Sequence, residues 1–248
     1  MPARVLSAPF IILLILFGCL AFFIDGDYAF WIIPNAVILA VIYSLHPHIN
    51  WMWYERHPPE MDPRLERYVA HLSPFYRGLD TAGQKKFRDR VELYLLANEF
   101  LLRGPKDNIQ APDDLKALFA IPVVELTFAE EGNWRLKKFE HLIFYPTSFP
   151  SPQDHDLHAC EMETEDGVVI VALDLAKRWV DAPDKAFPIM HYQMAQAYLW
   201  SFPDKRVGVD ERALEDKLKA RYGMGEGKLK EYLGLKTVDW SAIKHIVT

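Results

Sequence analysis

The chain is short of cysteine, of positive charge and of phosphate-binding loops, and each shortage closes off a class of function. Two cysteines in 248 residues, Cys19 in an apolar run and Cys160 far from it, exclude a disulfide framework and a cysteine-rich zinc site and fit a cytosolic milieu. Acidic side chains outnumber basic ones, 34 to 28, for a net charge of −6. Such a chain lacks the positive footprint that displaces counterions from phosphate, so nucleic acid is set aside as a partner. The glycine-dense stretch Gly223-Met224-Gly225-Glu226-Gly227 follows a charged helical run rather than a strand, and is not a phosphate loop. Internal repeats and low-complexity tracts are missing too.

What the chain has is apolar surface. Hydrophobic residues make up 50% of it and aromatics 13%, enough to bury a substantial core. Two stretches, residues 5–24 and 28–45, carry no charge at all. Each is long enough to cross about 30 Å of hydrocarbon as a helix. The first exceeds the apolar core of a secretory signal and a second follows at once, so the pair reads as a transmembrane hairpin. Asp25-Gly26-Asp27 forms its turn, and Pro34-Asn35 is placed to kink the second span. Arg4 precedes the hairpin and Arg56, Arg64 and Arg67 follow it, whereas the turn is acidic. That asymmetry puts both termini in the cytoplasm and the hairpin in the inner membrane, with lipid as a partner. Trp51, Trp53 and Tyr54 supply an interfacial belt, and the prolines from His57 to Pro63 a stiff linker. The domains are therefore 1–60, hairpin and linker, and 61–248, a soluble unit.

Within the soluble part, helical spacing covers residues 65–79 and 81–102, the latter with Thr81 as N-cap and Gln84 completing a capping box. A short helix at 113–121 precedes strands at 123–128 and 141–146. Residues 160–163 and 168–173 flank Asp166-Gly167 as a hairpin, and residues 175–180 lead to a helix that begins near Phe187. Further helices cover 211–221, 229–233 and 240–246. The fold class is α+β.

The helix from Phe187 carries His191 behind an apolar lead-in, as an H-E-x-x-H zinc helix does. Around it, Leu72-Ser73-Pro74-Phe75-Tyr76, Gln84-Lys85-Lys86-Phe87, Phe139 to Pro146 with Phe149, and Gly167-Val168-Val169-Ile170 lead to the Phe187–Ala197 stretch. In these elements residues 68–200 resemble the Mlc titration factor A family of zinc metallopeptidases. The resemblance implies a zincin-like domain with helices, a small sheet and a central zinc helix. It implies His191 as first zinc ligand, and it sets Tyr192 where the catalytic Glu belongs and Ala195 where the second ligand His belongs. The family's third ligand is a Glu on a later helix, for which Glu211, Glu215, Glu226 and Glu231 are available without a convincing match.

A phenol with a pKa of about 10 is not ionised at neutral pH and cannot replace a carboxylate as general base. The expectation is thus a degenerate metallopeptidase acting by protein binding, for instance as an accessory subunit of a membrane complex, without a cofactor. The competing expectation is an active, membrane-tethered zinc peptidase with a rearranged site. Its extra donors would come from His155, His158, Cys160 and Glu161. His71, His141 and His245 read as structural or surface imidazoles, and Trp179 and Trp200 as core or groove aromatics.

Overall fold

A computed structural model describes residues 2–104, 108–150 and 156–247. The chain divides into two compact units, Met1–Pro59 and Glu60–Thr248.

The first unit is helical. Helix α1 (Pro2–Phe23) is followed by a 3-10 turn (Gly26–Trp31), α2 (Ile32–Ser44) and α3 (His46–Arg56). Two stretches, Pro2–Phe23 and Gly26–Ser44, are long and apolar enough to cross a membrane, with mean hydropathies of 2.7 and 1.4. Pro34, expected to kink the span, lies at the start of α2. Proline is the third residue of α2, in the first turn, where no intrahelical bond needs its missing N–H. It marks the change from 3-10 to α-helix instead, and Asn35 Nδ2 donates to Trp31 O at 2.8 Å. The aromatic belt lies on α3, whose Asn50 side chain accepts from Ala3 N at 3.0 Å and so satisfies a first-turn donor of α1.

The second unit begins with α4 (Pro63–Leu72), α5 (Pro74–Gly78) and α6 (Thr81–Ala97). Strands β1 (Glu99–Arg103) and β2 (Asn108–Gln110) lead into α7 (Asp113–Leu126). Then come β3 (His141–Tyr145), β4 (Phe149–Pro150), β5 (Leu157–His158), β6 (Cys160–Glu163) and β7 (Val168–Ala172). Helices α8 (Leu173–Asp181), α9 (Ile189–Ser201), α10 (Glu211–Tyr222), α11 (Glu226–Leu233) and α12 (Trp240–Val247) complete it. The main sheet runs β2-β1-β3-β7-β6. Its three inner strands are parallel and both edges antiparallel. An α+β unit with a small mixed sheet results.

Register explains the core. Phe100 pairs with Leu142 and Leu142 with Val169, while Leu102 pairs with Phe144 and Phe144 with Val171. These two rows cross the sheet on one face, since in-register neighbours share a side. From α7, Phe119 sits 4.7 Å from the Phe144 ring and 6.3 Å from that of Phe100. Truncating such a ring to alanine typically costs about 3–5 kcal/mol.

Four expectations from the sequence are corrected. The helix expected over 65–79 is two, because Pro74 holds Ser73 extended (φ −109°, ψ 97°). The helix expected over 81–102 stops at Ala97, and Glu99 to Arg103 join the sheet as β1; Phe100 gains full burial there. Its N-cap is Asp80, which accepts from Gly83 N at 2.8 Å, rather than Thr81. The strand expected over 123–128 does not exist: α7 continues through Pro122 to Leu126. A helix buried on all sides has the same apolar run as a buried strand, so periodicity cannot separate them.

The β6–β7 hairpin is as expected, and its glycine is required. Gly167 has φ +70°, and a Cβ there would lie 2.0 Å from Lys138 O. Gly167→Ala is expected to cost at least about 1–2 kcal/mol from backbone strain alone. Gly227→Ala, in open space on α11, should stay within about 1 kcal/mol of the parent. Equal denaturant midpoints for the two variants would contradict this account.

A second prediction concerns pH. Burial pushes the Glu92 carboxyl on α6 up to about 7, with Asp113 and Asp62 adding to the shift. In the unfolded chain it titrates near 4.3, so the folded state holds the proton more tightly. This contribution to stability is fully present below the unfolded value and is lost as pH rises through the folded one. Glu92→Gln should therefore raise the thermal midpoint above the parent's at about pH 8, and the gap should close towards about pH 5. A gap independent of pH would refute the assignment.

Candidate functional site

Helix α9 begins at Ile189 rather than Phe187, with Pro188 as N-cap. Nine of its residues, among them Tyr192, Gln193, Met194 and Ala195, are buried. It packs against α7, α8 and α12 and against β6 and β7, which leaves few directions for a polar side chain. His191 turns towards an open cleft and stays partly exposed.

At that cleft three segments converge on one carboxylate. Ser73, in the break between α4 and α5, donates from Oγ to Glu125 Oε1. His191 Nε2 lies 3.1 Å from Glu125 Oε2. To meet a carboxylate that also accepts from Ser73, Nε2 must carry the proton. The other ring nitrogen, Nδ1, is buried without a partner. Ser73 Oγ also accepts from Tyr76 N at 2.9 Å, capping α5. The Trp179 ring meets His191 edge-on at 5.0 Å.

The cleft encloses about 440 Å³ between Phe75, Trp179, Tyr222 and Pro188, with Asp184, Arg221 and His245 among its polar lining. His245 packs on the Tyr198 ring at 5.6 Å. Burial, helped by Lys244, holds its imidazole below the ordinary range. This volume lies within the range of small-ligand and side-chain pockets, about 300–1,000 Å³.

Chemically, the order of contacts decides what the trio can do. In a nucleophilic triad the imidazole stands between hydroxyl and carboxylate, so that it can take the hydroxyl proton. Here Glu125 stands between Ser73 and His191, so the hydroxyl meets the carboxylate and not the imidazole. The trio is a cross-link that also presents a charged floor to the cleft.

The positions compared with a zinc helix point elsewhere. The Tyr192 hydroxyl accepts from Asp239 N at 3.0 Å in the core, and burial pushes its phenol well above the usual range. Ala195 is fully buried. Of the later glutamates, Glu215 accepts from Glu226 N and pairs with Lys219, and Glu226 pairs with Lys230. None of Glu211, Glu215, Glu226 or Glu231 lines the cleft. His158 pairs with Glu161 at 3.1 Å, Cys160 is a buried thiol pushed up to about 12 by burial, and His155 lies outside the described residues. Among the described residues no group of three His, Cys, Asp or Glu side chains is placed to hold a metal ion.

Of the remaining candidates, Trp179 is a cleft aromatic, Trp200 packs edge-on against Phe139 at 5.3 Å, and His141 pairs with Glu99 at 3.0 Å. Glu125 escaped the reading from sequence as a site residue; Ser73 entered it only within the family resemblance, and His245, read as a structural or surface imidazole, lines the cleft. For Glu125 a signal existed: an acid between Val124 and Leu126 in an apolar run is rarely buried without a partner. No protein-family model matches the chain, and no curated protein matches it.

The shared carboxylate makes a test. Glu125→Gln should cost about 1–3 kcal/mol, because a donor NH₂ replaces an acceptor at one of two occupied oxygens. Ser73→Ala should cost about 0.5–2 kcal/mol. Combined, the two should depart from additivity by at least about 0.5 kcal/mol, as groups in one network do. Strict additivity in a double-mutant cycle would show that the network is not shared.

Proposed function

We propose that the protein is a membrane-anchored, non-catalytic binding protein on a metallopeptidase-like scaffold, in which the cleft beside His191 serves recognition instead of zinc-dependent hydrolysis. The observation that carries this reading is the engagement of His191 Nε2 by Glu125. Where a zinc helix would supply a base and a second ligand, the chain supplies Tyr192 and Ala195, both packed in the core. His191 and Glu125 are two donors in contact, whereas a catalytic zinc site takes three protein ligands; this supports recognition over zinc binding. Aromatic walls with charges of both signs suit a polypeptide segment as ligand.

In the same reading the stretches Pro2–Phe23 and Gly26–Ser44 anchor the chain as a multi-pass hairpin in the inner membrane. Arginines at residues 4, 56, 64 and 67 favour cytoplasmic termini and a cytoplasmic second unit. A protein of this kind works as an accessory subunit beside another membrane protein.

Detergent-extracted protein is expected to carry well under one zinc per chain by elemental analysis and to leave casein and aminopeptidase substrates intact. His191→Ala should change neither result. Stoichiometric zinc with chelator-sensitive hydrolysis, both lost in His191→Ala, would establish the active peptidase instead.

A further inference from the structure

Within the first unit, α1, the end of α2 and α3 enclose a groove of about 410 Å³. Its lining changes character along its length. Asn50 Oδ1 accepts from Ala3 N at 3.0 Å, which pins α3 beside the start of α1 and brings Arg4, His46 and Asn50 to one end. Ile11 stands two turns further along α1, roughly 12 Å at 1.5 Å per residue from Ala3. There it shares the lining with Leu39 and Ile42, which precede the corner at Leu45.

The polar end carries a positive charge without a counter-charge. No Asp or Glu lines the groove, so the Arg4 guanidinium meets no carboxylate in it. Asn50 spends its side-chain oxygen on Ala3 N, and its Nδ2 remains a donor on the same wall. His46 Nδ1 donates to Tyr43 O at 2.9 Å, and its ring stacks on the Tyr43 ring at 5.8 Å. These contacts hold the turn from α2 into α3 and so the shape of the groove.

We infer that this groove binds one anionic phospholipid, with the phosphate at Arg4 and Asn50 and the upper part of an acyl chain along Ile11, Leu39 and Ile42. The inference rests on the membrane-anchored reading above, in which Pro2–Phe23 and Gly26–Ser44 cross the bilayer and Arg4 lies at the cytoplasmic interface. Anionic headgroups gather at that surface. A guanidinium offers phosphate two parallel N–H donors, and its methylene stem can stay in hydrocarbon while the charge reaches headgroup level. In a bilayer such a groove is filled by lipid or by another helix. A charge at one end and apolar side chains at the other match an amphiphile, whereas a helix would have to bring an acid to the level of Arg4. A zwitterionic lipid brings an ammonium that no carboxylate in the groove can receive. Selection for the anionic headgroup follows.

The test uses the full chain in zwitterionic detergent, with dioleoyl phosphatidylglycerol as probe and dioleoyl phosphatidylcholine, of the same acyl chains, as control. Native mass spectrometry should show a one-to-one lipid adduct, with the anionic lipid retained about fivefold more, as one basic residue near an anionic headgroup supplies. Arg4→Gln should bring the ratio close to one. Leu39→Trp, which fills the apolar end, should weaken retention of both lipids, and glycerophosphoglycerol, the same headgroup without acyl chains, should not compete at equal concentration. Equal retention of the two lipids by the parent overturns the inference. An unchanged ratio in Arg4→Gln, undiminished retention in Leu39→Trp, competition by the soluble headgroup or a lipid-free dimer in place of the adduct does the same. The comparison of the two lipids needs only the parent chain, so it decides the question even if a variant does not fold. Anchoring is read separately, by retention of the chain in the membrane pellet after alkaline carbonate extraction. Release there removes the anchor and the lipid site together, whereas retention without lipid preference removes the lipid site alone.

Discussion

Helix α9 has almost no solvent face, and a helix in that position must find a partner inside the protein for each polar atom it carries. Most of the second unit can be understood as the answer to that demand. Tyr192 is met by the backbone N–H of Asp239 at the head of α12. His191 is met by Glu125 from α7, which in turn is met by Ser73 at the break between α4 and α5. One carboxylate thereby joins three separate segments. On the same helix the Gln193 carboxamide, the Nδ1 nitrogen of His191 and the Ser201 hydroxyl are buried without a partner.

The constellation at His191 and that at Gln193 differ in kind although they lie two residues apart. The first is satisfied on one ring nitrogen and faces a cleft with charges of both signs. The second is a carboxamide almost wholly buried beside residues that include Glu161, His158 and Lys236. In the first, Glu125 rather than His191 occupies the middle of the chain of bonds, which differs from the order in a Ser-His-Asp triad.

How much of this is legible from the sequence depends on whether a signal is local. The uncharged runs before Leu45, the Asp166-Gly167 tip and the glycine closing α10 announce themselves through hydrophobicity and turn chemistry. Val123-Val124 does not, because β-branched residues in a helix surrounded by core look like strand. That misreading also concealed Glu125, whose role depends on its position near the end of a buried helix. Phe100 was likewise drawn into the preceding helical pattern, and only pairing with β3, some forty residues later, pulls it into the sheet. Long-range partners override local periodicity at both places.

The parallel heart of the sheet has a kinetic side. Strands β1, β3 and β7 join residues far apart in the chain, Phe100 to Leu142 and Leu142 to Val169, and such pairings close large loops before they gain contacts. The helices can form early from local contacts, but Phe119 and α9 have no completed sheet to cover until residue 172 has arrived. Topology, rather than the high helix content, therefore sets the pace at which this unit acquires its core.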